Sequence, residues 1–105
     1  MKQLFDYGEV ITTKSVNYYI EKKKGFHEEI SKCLQRHISG DFGKLCKQDI
    51  EANLQDIQND EGRILSRYST SEGDIYINTQ TEAYDFQNEK PIFKKITTIL
   101  FCDEY

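Results

Sequence analysis

The strongest constraint on this chain is a change of hydrophobic period near Gly62. Before it, apolar residues recur at helical spacing; after it, they alternate. Helices gathered in the first part of a chain and strands in the second point to an α+β fold, because an amphipathic helix must bury its stripe and the following sheet offers a face. The sequence therefore predicts two to three helices packed on one face of a small, three- to four-stranded antiparallel sheet. The 105 residues contain no linker, repeat or low-complexity run, which predicts one domain, 1–105, with a helical half over about 14–60 and a β half over about 62–105.

The helical half reads as three segments. Ser15 is placed to cap a first short helix beginning near Val16, and Lys22, Lys23 and Lys24 before Gly25 suit a helix C-terminus. The second helix, Phe26–Ile38, carries a continuous stripe of Phe26, Ile30, Cys33, Leu34 and His37, and Gly40 stops it. The third, Lys47–Asn59, has Ile50, Leu54 and Ile57 as its expected buried stripe. Asp49 lies in its first turn, where the helix dipole favours an anion, and Cys46 stands at the weak N-cap.

In the β half, strands are expected over 63–69 and 74–79, joined by the turn residues Ser71, Glu72 and Gly73. A longer excursion over 80–91 holds the one proline, and a β-branched strand follows over 92–101. The segment 8–13 reads as a short edge strand or an extended lead-in. Ser66 and Tyr68 share a sheet face with Ile64, which predicts packing or hydrogen bonding. Arg63 shares the other face with Leu65 and Arg67, where it could meet a partner or pair with Asp60, Glu61 or Glu104.

Charge narrows the classes of function. The net charge of −4 is uneven: from 41 to 61, six carboxylates face two lysines, and a second acidic tract holds Glu72, Asp74, Glu82, Asp85 and Glu89. Basic residues gather at Lys22, Lys23, Lys24, Lys32 and Arg36. Phosphate neutralisation needs a broad cationic face, so direct nucleic-acid binding is not expected. Docking on a basic protein surface is, with Asp49, Glu51, Asp56, Asp60, Glu82, Asp85 and Glu89 as contact residues. The equal alternative is a pair of solvated faces.

A mean hydropathy of −0.72 and 30% charged residues argue against a membrane span. With no secretory signal pattern, a cytoplasmic location is expected. Three widely spaced cysteines and two histidines do not form a zinc pattern, so neither metal nor cofactor is expected. Tyr18, Tyr19 and Tyr76 read equally as core or as a patch that builds a homodimer.

The corner between the second and third helices is the most unusual local sequence: His37-Ile38-Ser39-Gly40-Asp41-Phe42-Gly43. Gly40 and Gly43 are expected to allow positive φ or close packing of Phe42. His37 and Asp41, four apart across the helix stop, could share an imidazole–carboxylate hydrogen bond that orients the ring for proton transfer. The competing and preferred reading is a core histidine, since no nucleophile, metal set or phosphate loop accompanies it. Asp49 and Asn53 share a helix face, and Asn53 is expected to reach back to the corner or to terminal backbone.

These residues resemble a family of small proteins encoded on bacterial plasmids, prophages and integrative elements. The likeness rests on Gly8 and Val10; His37, Ser39, Gly40, Asp41, Phe42 and Gly43; Asp49 and Asn53; Gly62, Arg63, Ile64, Leu65, Ser66 and Tyr68; Thr81 and Glu82; Thr97 and Thr98; and Glu104 and Tyr105. Phe42 stands where that family usually has tryptophan, and 83–91 is an insertion relative to it. The resemblance implies an accessory protein of a mobile element, and such proteins often blunt host immunity. The expectation is a non-catalytic, acidic inhibitor of a host defence complex, of the anti-CRISPR or anti-restriction kind, acting by stoichiometric occlusion. The alternative is a small enzyme or nucleotide-handling protein that uses the His37/Asp41 corner.

Overall fold

A computed structural model describes residues 3–60, 62–87 and 90–105, with the side chains of 82–87 and 90–93 outside the description. In chain order the elements are β1 (Glu9–Thr12), α1 (Lys14–Lys22), α2 (Phe26–Ile38), α3 (Lys47–Asn59), β2 (Arg63–Thr70), β3 (Gly73–Gln87) and β4 (Lys90–Phe101), with a final 3-10 turn at Cys102–Glu104. The fold is α+β, built on one four-stranded sheet of order β1-β4-β3-β2.

The sheet is mixed rather than wholly antiparallel. β2, β3 and β4 form an antiparallel meander, whereas β1 lies parallel to β4, with Val10 opposite Thr97 and Thr12 opposite Ile99. The chain between β1 and β4 is long enough to contain all three helices and two strands, which supplies the crossover that a parallel pair requires. The described parts of the expected excursion, 80–87 and 90–91, are strand. Hydrogen-bonded backbone continues along β3 to Gln87 and resumes at Lys90, with a shift of register between Ala83 and Asp85.

Inward alternation assembles the core. Ile64, Ser66 and Tyr68 of β2 lie on the same face as Ile75, Ile77 and Thr79 of β3 and Thr97, Ile99 and Phe101 of β4, and all nine are buried. Against them α1 contributes Val16 and α2 contributes Phe26, Ile30 and Cys33, with Tyr19, Ile20 and Leu34 at the margin. Each fully buried Ile or Phe stabilises the fold by about 1.5–3 kcal/mol relative to exposure.

Three local readings change. The cap of α1 is Thr13 and not Ser15: the extended backbone at Thr13 lets its hydroxyl accept from the Val16 amide at 3.4 Å, while it donates to Glu104 Oε1 at 2.9 Å. Gly25, expected to end α1, instead caps the start of α2 in a left-handed conformation. The stripe of α3 is not core, since Ile50 and Ile57 are half-buried, Leu54 is 48% exposed, and the one buried residue of the helix is Asn53. Only α1 and α2 cover the inner face; α3 packs on β2 at the edge of the sheet.

Candidate functional site: a sealed strand edge and an acidic helix

The corner exists to close the free edge of β2. An outermost strand presents unpaired amides and carbonyls, an invitation to unwanted pairing. Here the Arg67 amide donates to the Phe42 carbonyl at 3.1 Å, and the Lys44 amide donates to the Arg67 carbonyl at 2.8 Å. One step along, the Asn53 amide group bonds both backbone groups of Leu65, Nδ2 donating to its carbonyl at 2.7 Å and Oδ1 accepting from its amide at 3.0 Å. The Arg63 amide donates to Asp56 Oδ2 at 3.2 Å. Asn53 thus reaches a strand, not the corner or the chain end, and its side chain imitates a missing neighbour strand.

Two glycines make this possible. At the end of α2 the Gly40 amide bonds the His37 carbonyl and the Asp41 amide bonds the Arg36 carbonyl, a Schellman arrangement with Gly40 in the left-handed position at φ 93°. Gly43, at φ 75°, bridges Arg67 so closely that a Cβ would lie 2.0 Å from the Arg67 carbonyl oxygen. Between them Phe42 is buried with its ring edge-on to His37, and the Tyr68 hydroxyl donates to the Asp41 carbonyl at 2.5 Å.

The expected His37–Asp41 hydrogen bond does not form. The Schellman turn places Arg36 beside Asp41, and the guanidinium makes two bonds to the carboxylate, at 2.7 and 3.2 Å. This pairing, with the Gly43 amide, holds the Asp41 carboxyl below its usual range. Arg36 also lies 4.7 Å over the Tyr68 ring.

His37 points the other way, into the sheet, and is fully buried. Its Nδ1 meets Ser66 Oγ at 2.5 Å and its Nε2 meets Thr79 Oγ1 at 2.9 Å; Thr79 meets Thr97 at 2.6 Å, and Thr97 donates to the Tyr7 carbonyl at 2.7 Å. That carbonyl only accepts, so the single Thr97 proton is spent on it. Thr79 must then donate to Thr97 and receive from Nε2–H, which leaves Nδ1 to accept from Ser66. Burial lowers the ring to about 4, so it is neutral at pH 7. Its edge is enclosed by Phe5 at 5.2 Å between centroids. A neutral ring with both nitrogens occupied and no exposed surface ties α2 to β2, β3 and β4.

The acidic residues divide. Asp56 is committed to the backbone of β2, and Asp60, in a left-handed conformation, pairs with Lys95 at 2.9 Å. Asp49 and Glu51 stand exposed on α3. Glu82 and Asp85 are placed only as backbone of β3, and their side chains, like all of Glu89, lie outside the described residues. On the outer sheet face beside α3 is a groove of about 300 Å³ lined by Asp49, Asp56, Arg63, Leu65, Tyr76 and Tyr105. Arg63 donates there to the Tyr105 hydroxyl rather than to Asp60 or Glu104, Glu61 lies outside the described residues, and the Tyr76 and Tyr105 rings lie 5.1 Å apart. Of the other tyrosines singled out, Tyr18 is 54% exposed and Tyr19 borders the core.

Thr79 and Thr97 escaped sequence reasoning as members of the hydrogen-bond chain that begins at His37. Their signal was a polar residue at an inward position of an otherwise apolar alternation, Ile75-x-Ile77-x-Thr79 and Thr97-x-Ile99-x-Phe101. Asp74 was also missed as a junction: it pairs with Arg67 at 3.0 Å and Lys44 at 3.3 Å, and accepts from Ser69.

Among the described residues no cluster of three or more His, Cys, Asp or Glu side chains is placed to hold a metal ion, and the three cysteines are free thiols. Among the described residues no helix is long and apolar enough to cross a membrane. Comparison with protein-family models, with curated proteins and with solved structures finds no match.

Proposed function

We propose that this chain is a non-catalytic binding protein that docks through the outward face of α3 on a basic surface of another protein. The observation that carries the reading is the way α3 is attached. Two side chains, Asn53 and Asp56, tie it to the sheet edge with Ile50 and Ile57 half-buried beside them, which leaves Glu51 and the half-exposed Leu54 on its outward face and Asp49 exposed at the rim of the groove. An apolar residue next to one carboxylate, with a second at the groove rim, suits an interface in which charge guides approach and a small dry centre supplies affinity. The mobile-element resemblance supplies the class of target, a host defence complex of the CRISPR or restriction kind, blocked by stoichiometric occupation.

Catalysis at the corner finds less support. His37 has no exposed surface and both ring nitrogens are held by hydroxyls, so no substrate proton lies within reach.

The test is phage plating on cells with and without an active CRISPR or restriction system. The chain is expected to restore plating only where immunity operates. The combined variant D49K/E51K/L54E should lose the effect while keeping the wild-type circular dichroism spectrum and melting curve. Protection that survives this variant, or no protection in any immune background, would overturn the reading.

A further inference from the structure

The two edges of the sheet are treated differently. The β2 edge is sealed at Arg63, Leu65 and Arg67 by Asp56, Asn53 and the Phe42–Gly43–Lys44 backbone, as described above. The β1 edge is not. In a parallel ladder alternate residues face the neighbour, and the Thr13 amide bonds the Ile99 carbonyl at 3.1 Å. With Thr12 in register with Ile99, this assigns Glu9, Ile11 and Thr13 to β4 and turns the amides and carbonyls of Val10 and Thr12 outward. Among the described residues no backbone or side-chain group bonds them. Val10 and Ile11, on opposite faces of this strand, are 37% and 45% exposed.

We infer that β1 is a dimerisation edge, on which a second copy of this chain lays its own β1 antiparallel to make a continuous eight-stranded sheet. The frame is self-complementary about a two-fold axis at Ile11. Val10 of one copy then faces Thr12 of the other, and each such pair exchanges both backbone hydrogen bonds. Ile11 faces Ile11 at the closer, non-hydrogen-bonded position, where apolar side chains gain most contact. Glu9, already paired with Lys94 at 2.7 Å, comes opposite Thr13, whose hydroxyl is bonded to Glu104 and which Lys14 follows in the chain. Addition of an identical strand satisfies the outward groups without any change inside the fold.

Proline scanning tests this with a built-in control. Val10 has a free amide and an extended backbone, so V10P keeps every bond of the β1–β4 ladder and blocks only the outer edge. I11P removes an amide that faces β4 and should destabilise the fold itself. Sedimentation equilibrium should return twice the 12.4 kDa chain mass for the wild type, and the chain mass for V10P and for I11K, which sets like charges at the axis. Both variants should keep the wild-type circular dichroism spectrum, and D49K/E51K/L54E should remain dimeric, which separates this inference from the role of α3. A wild type that is monomeric at millimolar concentration, or folded V10P and I11K that stay dimeric, would overturn it.

Discussion

Lowering the pH should weaken this fold above the range in which carboxylates titrate, and His37 is the reason. Its ring falls from an ordinary 6.5 to about 4 because it is buried in an uncharged setting of hydroxyls and aromatic rings. A base depressed in the folded state binds its proton more readily when unfolded, so the stability it contributes is complete above 6.5 and is lost as pH falls toward 4. Those two values correspond to a loss of about 2 kcal/mol between pH 7.5 and 5, and of about 3 kcal/mol once both states are protonated. Glu9, Glu29, Asp41 and Asp74 are held low by bonds from Lys94, Ser71, Arg36 and Arg67, respectively, and their stabilisation is lost only below their ordinary values of 4.5 and 3.8. The window from pH 7.5 to 5 therefore isolates the histidine. Urea unfolding of the wild type and of H37Q across that window should give a steep and a shallow dependence, and nitrogen NMR should show a neutral, Nε2-protonated ring at pH 5. Parallel pH curves for the two proteins, or a ring protonated in the native state at pH 6, would refute the argument.

The sealed edge makes two further predictions. G43A should cost about 2–4 kcal/mol in urea unfolding, because a Cβ at φ 75° meets the Arg67 carbonyl at 2.0 Å; a variant as stable as wild type would mean that the Gly43–Arg67 bridge is absent. N53A should cost about 2–3 kcal/mol by leaving both backbone groups of Leu65 without partners, and hydrogen exchange at the Leu65 amide should accelerate; unchanged exchange would remove Asn53 from its role at the edge.

Local signals were legible where one element determines its own limits. The apolar stripe of α2 and the glycine after it define Phe26–Ile38, and the turn after Thr70 sets the β2–β3 hairpin. Signals that depend on what lies across the fold were not. Ile50, Leu54 and Ile57 have core spacing, but spacing cannot reveal that α3 meets a strand edge through Asn53 and leaves Leu54 in water. Polar composition and Pro91 imitate a loop over 80–91, yet cross-strand pairing, with Phe86 opposite Pro91, carries β3 to Gln87 and starts β4 at Lys90. At the corner, His37 and Asp41 had the right separation for each other; the Schellman turn gave Asp41 to Arg36, and inward-facing hydroxyls on distant strands claimed the imidazole. The acidic surface was visible as composition, while the division between committed Asp56 and Asp60 and solvent-facing Asp49 and Glu51 required the third dimension.

The hydroxyl chain that ends on Tyr7 has a sense of direction, since each member has one proton to pass on. Its orientation is dictated from the far end, by a carbonyl in the segment ahead of β1, and is read out on α2 as the choice of imidazole nitrogen that bears hydrogen. The segment ahead of β1 thereby sets the proton order of the interior: with the Tyr7 carbonyl taking the Thr97 proton, only a ring protonated on Nε2 gives every member of the chain a partner.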